Sequence, residues 1–169
     1  MNSKDLANSL AEWLSNPQRL VIAGIGNALR GDDGLGVEFA KGLVGKIPQN
    51  VLVLDCGTVP ETYLGPIRGF RPTHILMVDA ADIGSEPGSA RLILPQEIIG
   101  LAISTHSLPL NVLANYLKEQ THAKIALLAI QPKDTEFGEK LSQEVQTTLR
   151  RLSGMITNLL GNKKRVREH

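Results

Sequence analysis

The sequence predicts a single α/β domain with three layers, in which helices cover both faces of a mostly parallel, twisted sheet of about five strands. Five short apolar runs rich in Val, Ile, Leu and Ala are typical of strands buried on both faces. Helical patterns separate these runs, and such alternation favours crossovers between parallel neighbours. At 169 residues the chain fits one domain, 1–169, which can bury a large core.

Each element is predicted from its local pattern, in chain order. An amphipathic helix over 3–15 comes first, with Ser3 as its cap and Pro17 after its end, so that 1–17 is an addition ahead of the sheet. The predicted strands are 19–25, 51–55, 74–79, 90–94 and 124–130. The predicted helices are 34–46, 60–69, 108–120 and 141–160, with an ambiguous segment at 95–103.

Charge and composition narrow the function classes. The net charge of +1 offers no electrostatic attraction for nucleic acid or an anionic membrane. The single cysteine, Cys56, excludes an internal disulfide and suits a reducing cytoplasm. We expect no membrane span and no signal peptide, because no apolar run approaches about 18 residues and no basic segment precedes one. Residues 161–169 are predicted to be a basic, flexible tail.

One stretch, 19–39, organises the rest of the chain. It reads RLVIAGIGNALRGDDGLGVEF: a buried strand, a glycine loop and the start of a helix. In open α/β sheets, ligands bind at the carboxyl ends of the strands, where this loop lies. The adjacent acids Asp32 and Asp33 therefore fall at the edge where chemistry is expected.

The glycine loop has a second interpretation, as a phosphate-binding turn. Gly24 and Gly26 match two of the three glycines of a dinucleotide fingerprint, but Leu29 stands at the third position. The two acids at the helix start would also repel a pyrophosphate. A nucleotide-binding α/β protein is therefore kept only as an alternative.

Several polar residues lie at or just past the ends of predicted strands. Asp33 lies past the first strand, Asp55 ends the second and Asp79 ends the third. His106 lies in the loop before a helix. Converging carboxylates and an imidazole suit either a divalent metal or acid/base chemistry, although any one aspartate alone could simply order a turn. Cys56 with His106 could form a thiol nucleophile and its base, or Cys56 could be a small buried apolar residue.

Four motifs occur in one order: GIGNALRGDDGLGV, DCGTVPE, LMVDAADIG and STHSLPL. Together they resemble the [NiFe]-hydrogenase maturation endopeptidases, above all the type that serves formate-hydrogenlyase-like hydrogenases. The resemblance covers about 20–160. It implies a cytoplasmic protease of the aspartyl type that removes a C-terminal extension from the precursor of the hydrogenase large subunit after nickel insertion.

The resemblance assigns the metal-binding and catalytic roles to Asp33, Asp79 and His106, with Asp32 shaping the loop. Nickel is the implied metal, and it would arrive with the precursor. Two carboxylates and one imidazole leave coordination positions open on nickel, so the site could bind an ion that another protein already holds. Asp33 is the better candidate for a catalytic base beside Asp79.

The resemblance also implies a substrate-binding segment after the second strand. The family usually has two glycines there, whereas this chain has Cys56, Gly57 and Thr58. A protein that grips the nickel-bearing precursor without cutting it would use the same residues. A non-catalytic assembly factor is therefore the second hypothesis from the sequence.

Overall fold

The structure is a computed structural model that describes residues 3–98, 109–138 and 140–166. Within these residues the strands are β1 (Leu20–Ile25), β2 (Val51–Gly57), β3 (His74–Ala80), β4 (Ala90–Ile93) and β5 (Lys124–Ile130). The α-helices are α1 (Ser3–Trp13), α2 (Leu35–Leu43), α3 (Leu64–Phe70), α4 (Pro95–Ile98), α5 (Leu110–Thr121) and α6 (Gln143–Val166). Short 3-10 turns, Gly31–Gly34 and Pro60–Tyr63, lead into α2 and α3. The strand predictions agree with these bounds to within two residues at either end.

The five described strands form one sheet in the order β2-β1-β3-β5-β4. β1 is parallel to β2 and β3, and β3 is parallel to β5, which confirms the mostly parallel sheet. β4 runs antiparallel to β5. The reason is the short connection 81–89. It contains no crossover helix that would carry the chain back to the end of the sheet where β3 begins.

Helices cover both faces of the sheet and give the predicted three layers. Alternate residues of β1 face opposite sides, with Leu20 and Ile22 in one apolar cluster and Val21 and Ala23 in the other. The first cluster includes buried residues of α1, α2 and α6, and the second includes buried residues of α3, α4 and α5. Burial on both faces explains why the strands read as continuous apolar runs.

The first turn of α2 lies directly against the sheet. A side chain at Gly36 would overlap the carbonyl oxygens of Ile25 and Val78, which belong to neighbouring strands. Likewise, a Cβ at Gly24 would overlap the carbonyl oxygen of Gly36. The glycines that resemble a nucleotide fingerprint therefore allow a close approach of helix and strand, and this approach brings the Gly31–Gly34 turn to the carboxyl edge of the sheet.

The two ends of the chain pack on the same face. Along α1, Leu6 and Leu10 are buried in the same cluster as residues of α6, and Trp13 meets the ring of His74 edge-on at 5.1 Å between centroids. α6 continues to Val166, into the segment 161–169 that the sequence predicts to be a tail. Its Lys and Arg residues favour a helix even where the apolar periodicity has ended. No described helix is long and apolar enough to cross a membrane.

Candidate active site

Asp33 and Asp79 both lie at the carboxyl edge of the sheet and are buried. Asp33 belongs to the Gly31–Gly34 turn and is 2% exposed, whereas Asp79 is the next-to-last residue of β3 and is 0% exposed. Both carboxylate oxygens of Asp33 lack a hydrogen-bond partner among the described residues. Burying a carboxylate in this way is costly unless a cation or a proton compensates it. Asp33 is thus the clearest sign of a site.

Asp32, the neighbouring acid, is fully hydrogen-bonded. Its Oδ2 accepts bonds from the backbone N–H groups of Lys133 (2.8 Å) and Asp134 (3.2 Å) and from the hydroxyl of Ser142 (2.8 Å). Its Oδ1 accepts one from the backbone N–H of Ser142 at 2.7 Å. Asp32 therefore joins the Gly31–Gly34 turn to the segment between β5 and α6, in agreement with the loop-shaping role expected for it.

Backbone hydrogen bonds reinforce this junction. The N–H of Gly31 donates to the carbonyl of Gly138 at 2.6 Å, and the N–H of Gly138 donates to the carbonyl of Leu29 at 2.8 Å. Gly31 has φ of 50°, and a Cβ there would lie 2.6 Å from the carbonyl oxygen of Asp134. The sequence does not reveal the role of segment 133–142, because the residues that it contacts lie more than 100 positions earlier in the chain. The only local signal was Ser142 as a helix cap, which accepts from the N–H of Val145 at 3.4 Å.

His106, the third predicted site residue, lies outside the described residues. α5 follows His106 in the chain. It covers the sheet face that Asp79 shares with Ile75 and Met77 through the alternation of β3. Within the described ranges, no group of three or more His, Cys, Asp or Glu side chains could hold a metal ion. The convergence of Asp33, Asp79 and His106 stays a prediction.

Cys56 lies in a bulge of β2. Gly24 of β1 pairs with Asp55 and Ile25 pairs with Gly57, so Cys56 is the extra residue. Its side chain is 2% exposed and belongs to the apolar cluster on the α5 face. Burial, followed by the negative charge of Asp55, raises the pKa of the Cys56 thiol to about 12. A neutral, buried thiol is a poor nucleophile, which argues against a cysteine protease.

The residues on either side of Cys56 are more accessible. Asp55 is exposed, and its Oδ1 accepts a hydrogen bond from the N–H of Gly57 at 3.1 Å. Gly57 has φ of 52°, and nothing lies within 4 Å of the position where its Cβ would be. Thr58 is exposed. Of the predicted substrate-binding residues, Gly57 and Thr58 present surface to a partner, whereas the Cys56 side chain turns into the core.

Comparisons with known proteins agree on one family. Residues 38–159 match the model of the HycI family, described as hydrogenase maturation protease. The hydrogenase 3 maturation protease of Escherichia coli K12 is 37% identical over 143 residues, which cover 82% of this chain and 91% of that protein.

Solved structures give the same result. A crystal structure of a [NiFe] hydrogenase maturation protease, HycI, from Thermococcus kodakarensis has a TM-score of 0.84 and 40% identity, covering 90% of this chain and 99% of that one. The solution structure of the endopeptidase HycI from Escherichia coli has a TM-score of 0.73 and 34% identity, and the match covers 80% of this chain and 87% of that one.

The fold and these similarities together define a peptidase built on an α/β sheet. It is thus a hydrolase of peptide bonds. The chain belongs to the HycI family of hydrogenase maturation proteases.

Proposed function

We propose that the protein is a nickel-dependent endopeptidase that acts in the cytoplasm. It removes a C-terminal extension from the precursor of a [NiFe]-hydrogenase large subunit once nickel has been inserted. Membership of the maturation proteases supports this proposal at the level of the reaction. The observation that carries it at the level of the site is the buried Asp33 carboxylate, whose two oxygens have no hydrogen-bond donor in the described part of the chain.

The donor set fits a nickel ion that belongs to the substrate. Asp33 offers two oxygens that no described protein group uses, Asp79 is a second buried carboxylate at the same edge, and His106 would add an imidazole. Carboxylate and imidazole ligands suit nickel, and three protein ligands leave positions for those of the precursor. Bound there, the ion would supply both positive charge and a position for the peptide, so a nickel-free precursor would be held less well.

Asp33 also has the properties required of a general base. An aspartate oxygen without a protein donor can accept a proton from a water that attacks the scissile carbonyl, and can later return it to the leaving amine. The N–H of Asp33 donates to the carbonyl of Arg30 at 3.0 Å, which holds the residue in its turn. General acid–base catalysis needs such a positioned group, and the packed turn provides the position.

The end of β2 suits an extended peptide. The carbonyl of Gly57 accepts a hydrogen bond from the N–H of Gly26 at 2.9 Å, so this surface lies next to the glycine loop that leads to Asp33. The open space at the Cβ position of Gly57 allows close approach of a backbone. Gly57 and Thr58 are therefore proposed to contact the substrate near the scissile bond.

The direct test compares nickel-loaded and nickel-free precursor. Purified protein is incubated with each, and mass spectrometry records loss of the C-terminal peptide. We expect cleavage of the nickel-loaded precursor alone, and no cleavage by the His106→Ala variant. His122→Ala is the matched control, because His122 ends α5 at the opposite edge of the sheet.

Two results would contradict the proposal. Equal cleavage of both precursor forms would show that the reaction does not depend on nickel. A nickel-loaded precursor that binds but keeps its full mass would identify a non-catalytic assembly factor instead.

A further inference from the structure

Two exposed apolar side chains stand beside the candidate active site. Phe137 is 85% exposed, more than any other large hydrophobic residue in the described part of the chain. Leu29 is 50% exposed. An aromatic ring in water forfeits roughly 2 kcal/mol that burial would provide. We call these two residues the Leu29–Phe137 pair.

Hydrogen bonds hold the backbone on both sides of the pair. The N–H of Gly138, the residue after Phe137, donates to the carbonyl of Leu29 at 2.8 Å, so the two backbones are adjacent. The Nε of Arg30 donates to the carbonyl of Thr135 at 3.2 Å. The four hydrogen bonds to Asp32 hold the segment on both sides of Phe137, at Lys133 and Asp134 and at Ser142. Because these bonds fix the loop beforehand, little backbone entropy is lost when a partner covers the pair.

The pair also lies within reach of Asp33. Leu29 and Asp33 are four positions apart in the chain, and an extended chain spans at most about 3.5 Å per residue. The Cα atoms of Leu29 and Asp33 are therefore at most about 14 Å apart. If one residue of an extended substrate peptide lies at Asp33, a residue within about four positions along the same peptide can reach the Leu29–Phe137 pair.

We propose that the Leu29–Phe137 pair is a docking site for an aliphatic or aromatic side chain of the precursor, within about four residues of the scissile bond. The inference rests on the proposed function and names a specificity determinant for it. Continuity with the Asp33 edge selects the substrate as the occupant, because a second copy of the chain placed there would cover the edge that the substrate must reach. The pair binds the substrate and takes no part in proton transfer.

Steady-state cleavage of the nickel-loaded precursor tests this role. Phe137→Ser is expected to raise KM about tenfold, which is typical of losing a buried aromatic anchor, with kcat changed less than about twofold. Phe137→Leu keeps the apolar contact and is expected to raise KM less than about threefold. Val44→Ser is the matched control, because Val44 is 72% exposed and follows the C-terminal end of α2, the end opposite Asp33.

A binding measurement separates this inference from the proposed function. In an Asp33→Asn background, calorimetric titration with the nickel-loaded precursor should show about tenfold weaker binding for Phe137→Ser. Such a result supports docking even if the wild-type protein cleaves nothing, an outcome that would overturn the proposed function alone.

Three results would overturn the docking proposal. The first is equal KM and affinity for Phe137→Ser and wild type. The second is a loss in kcat at constant KM. The third is sedimentation showing a wild-type dimer that Phe137→Ser dissociates, which would assign the pair to self-association. Thermal unfolding of Phe137→Ser should match that of wild type, because none of the hydrogen bonds described for the loop uses the Phe137 side chain.

Discussion

The two adjacent aspartates of the Gly31–Gly34 turn lie in different surroundings. Asp32 and Asp33 are the same residue type, and both are almost completely buried. Asp32 accepts four hydrogen bonds from segment 133–142, whereas the carboxylate of Asp33 accepts none from the described residues. In a 3-10 turn, consecutive side chains point about 120° apart, so one acid faces the loop and the other does not.

This difference shows that burial alone does not identify a functional carboxylate. The buried acid whose oxygens are satisfied stabilises the fold, because its desolvation is repaid by hydrogen bonds to a charged acceptor. A buried acid without donors costs stability, which supports the role in binding or catalysis proposed for Asp33. Variants of Asp33, Asp32 and Cys56 test this division.

The largest effect is expected at Asp33. Asp33→Asn should reduce cleavage of the nickel-loaded precursor about 1,000-fold, since it removes the proposed base and a metal ligand. The melting temperature should stay the same or rise, because a buried charge without a protein partner is lost. Cleavage assays and calorimetry measure the two effects. Asp82→Asn, an exposed aspartate just after β3, is the control and should change neither.

The opposite result is expected at Asp32. Asp32→Ala should lower the free energy of unfolding by about 3 kcal/mol, because it leaves the N–H groups of Lys133, Asp134 and Ser142 without their acceptor. Urea titration measures this loss. Asp134→Ala is the matched control, since the Asp134 side chain accepts one bond from the exposed N–H of Glu136. Equal free energies of unfolding for the two variants would contradict the stabilising role of Asp32.

The smallest effect on activity is expected at Cys56, a buried ionisable group near the end of β2. Cys56→Ala should cleave the precursor at close to the wild-type rate, because its thiol is neutral and faces the core. A Cys56→Ala variant without activity would instead restore the thiol as a nucleophile.

The same variant tests the pH dependence of stability. The folded-state pKa of Cys56 is raised from 9.0 to about 12, so its contribution is complete below pH 9.0 and is lost as the pH rises toward 12. Relative to Cys56→Ala, the wild-type free energy of unfolding should fall by up to about 1.4 kcal/mol per pH unit above 9.0. Parallel stability curves for the two proteins would contradict the burial of the thiol.

Local pattern alone was enough for the strands, the layers and the position of Asp33. β5 is the clearest case, because its apolar run, 124–130, coincides with the observed strand. β4 is a case in which the element was predicted but its direction was not, since the length and path of a connection are properties of the assembled sheet. The family resemblance placed Cys56 in a substrate-binding segment, and the sequence does not reveal the bulge at which its side chain is buried.

The α/β class, the strand ends and the acids near those ends follow from local pattern, because periodicity and turn residues act over a few positions. Which of the two adjacent acids is hydrogen-bonded follows only from the tertiary structure. The donors that satisfy Asp32 come from segment 133–142, and the same segment brings Phe137 beside Leu29. Such contacts join residues about 100 positions apart, and no local pattern encodes them. The adjacent aspartates look equivalent in the sequence and become different only when the chain closes around one of them.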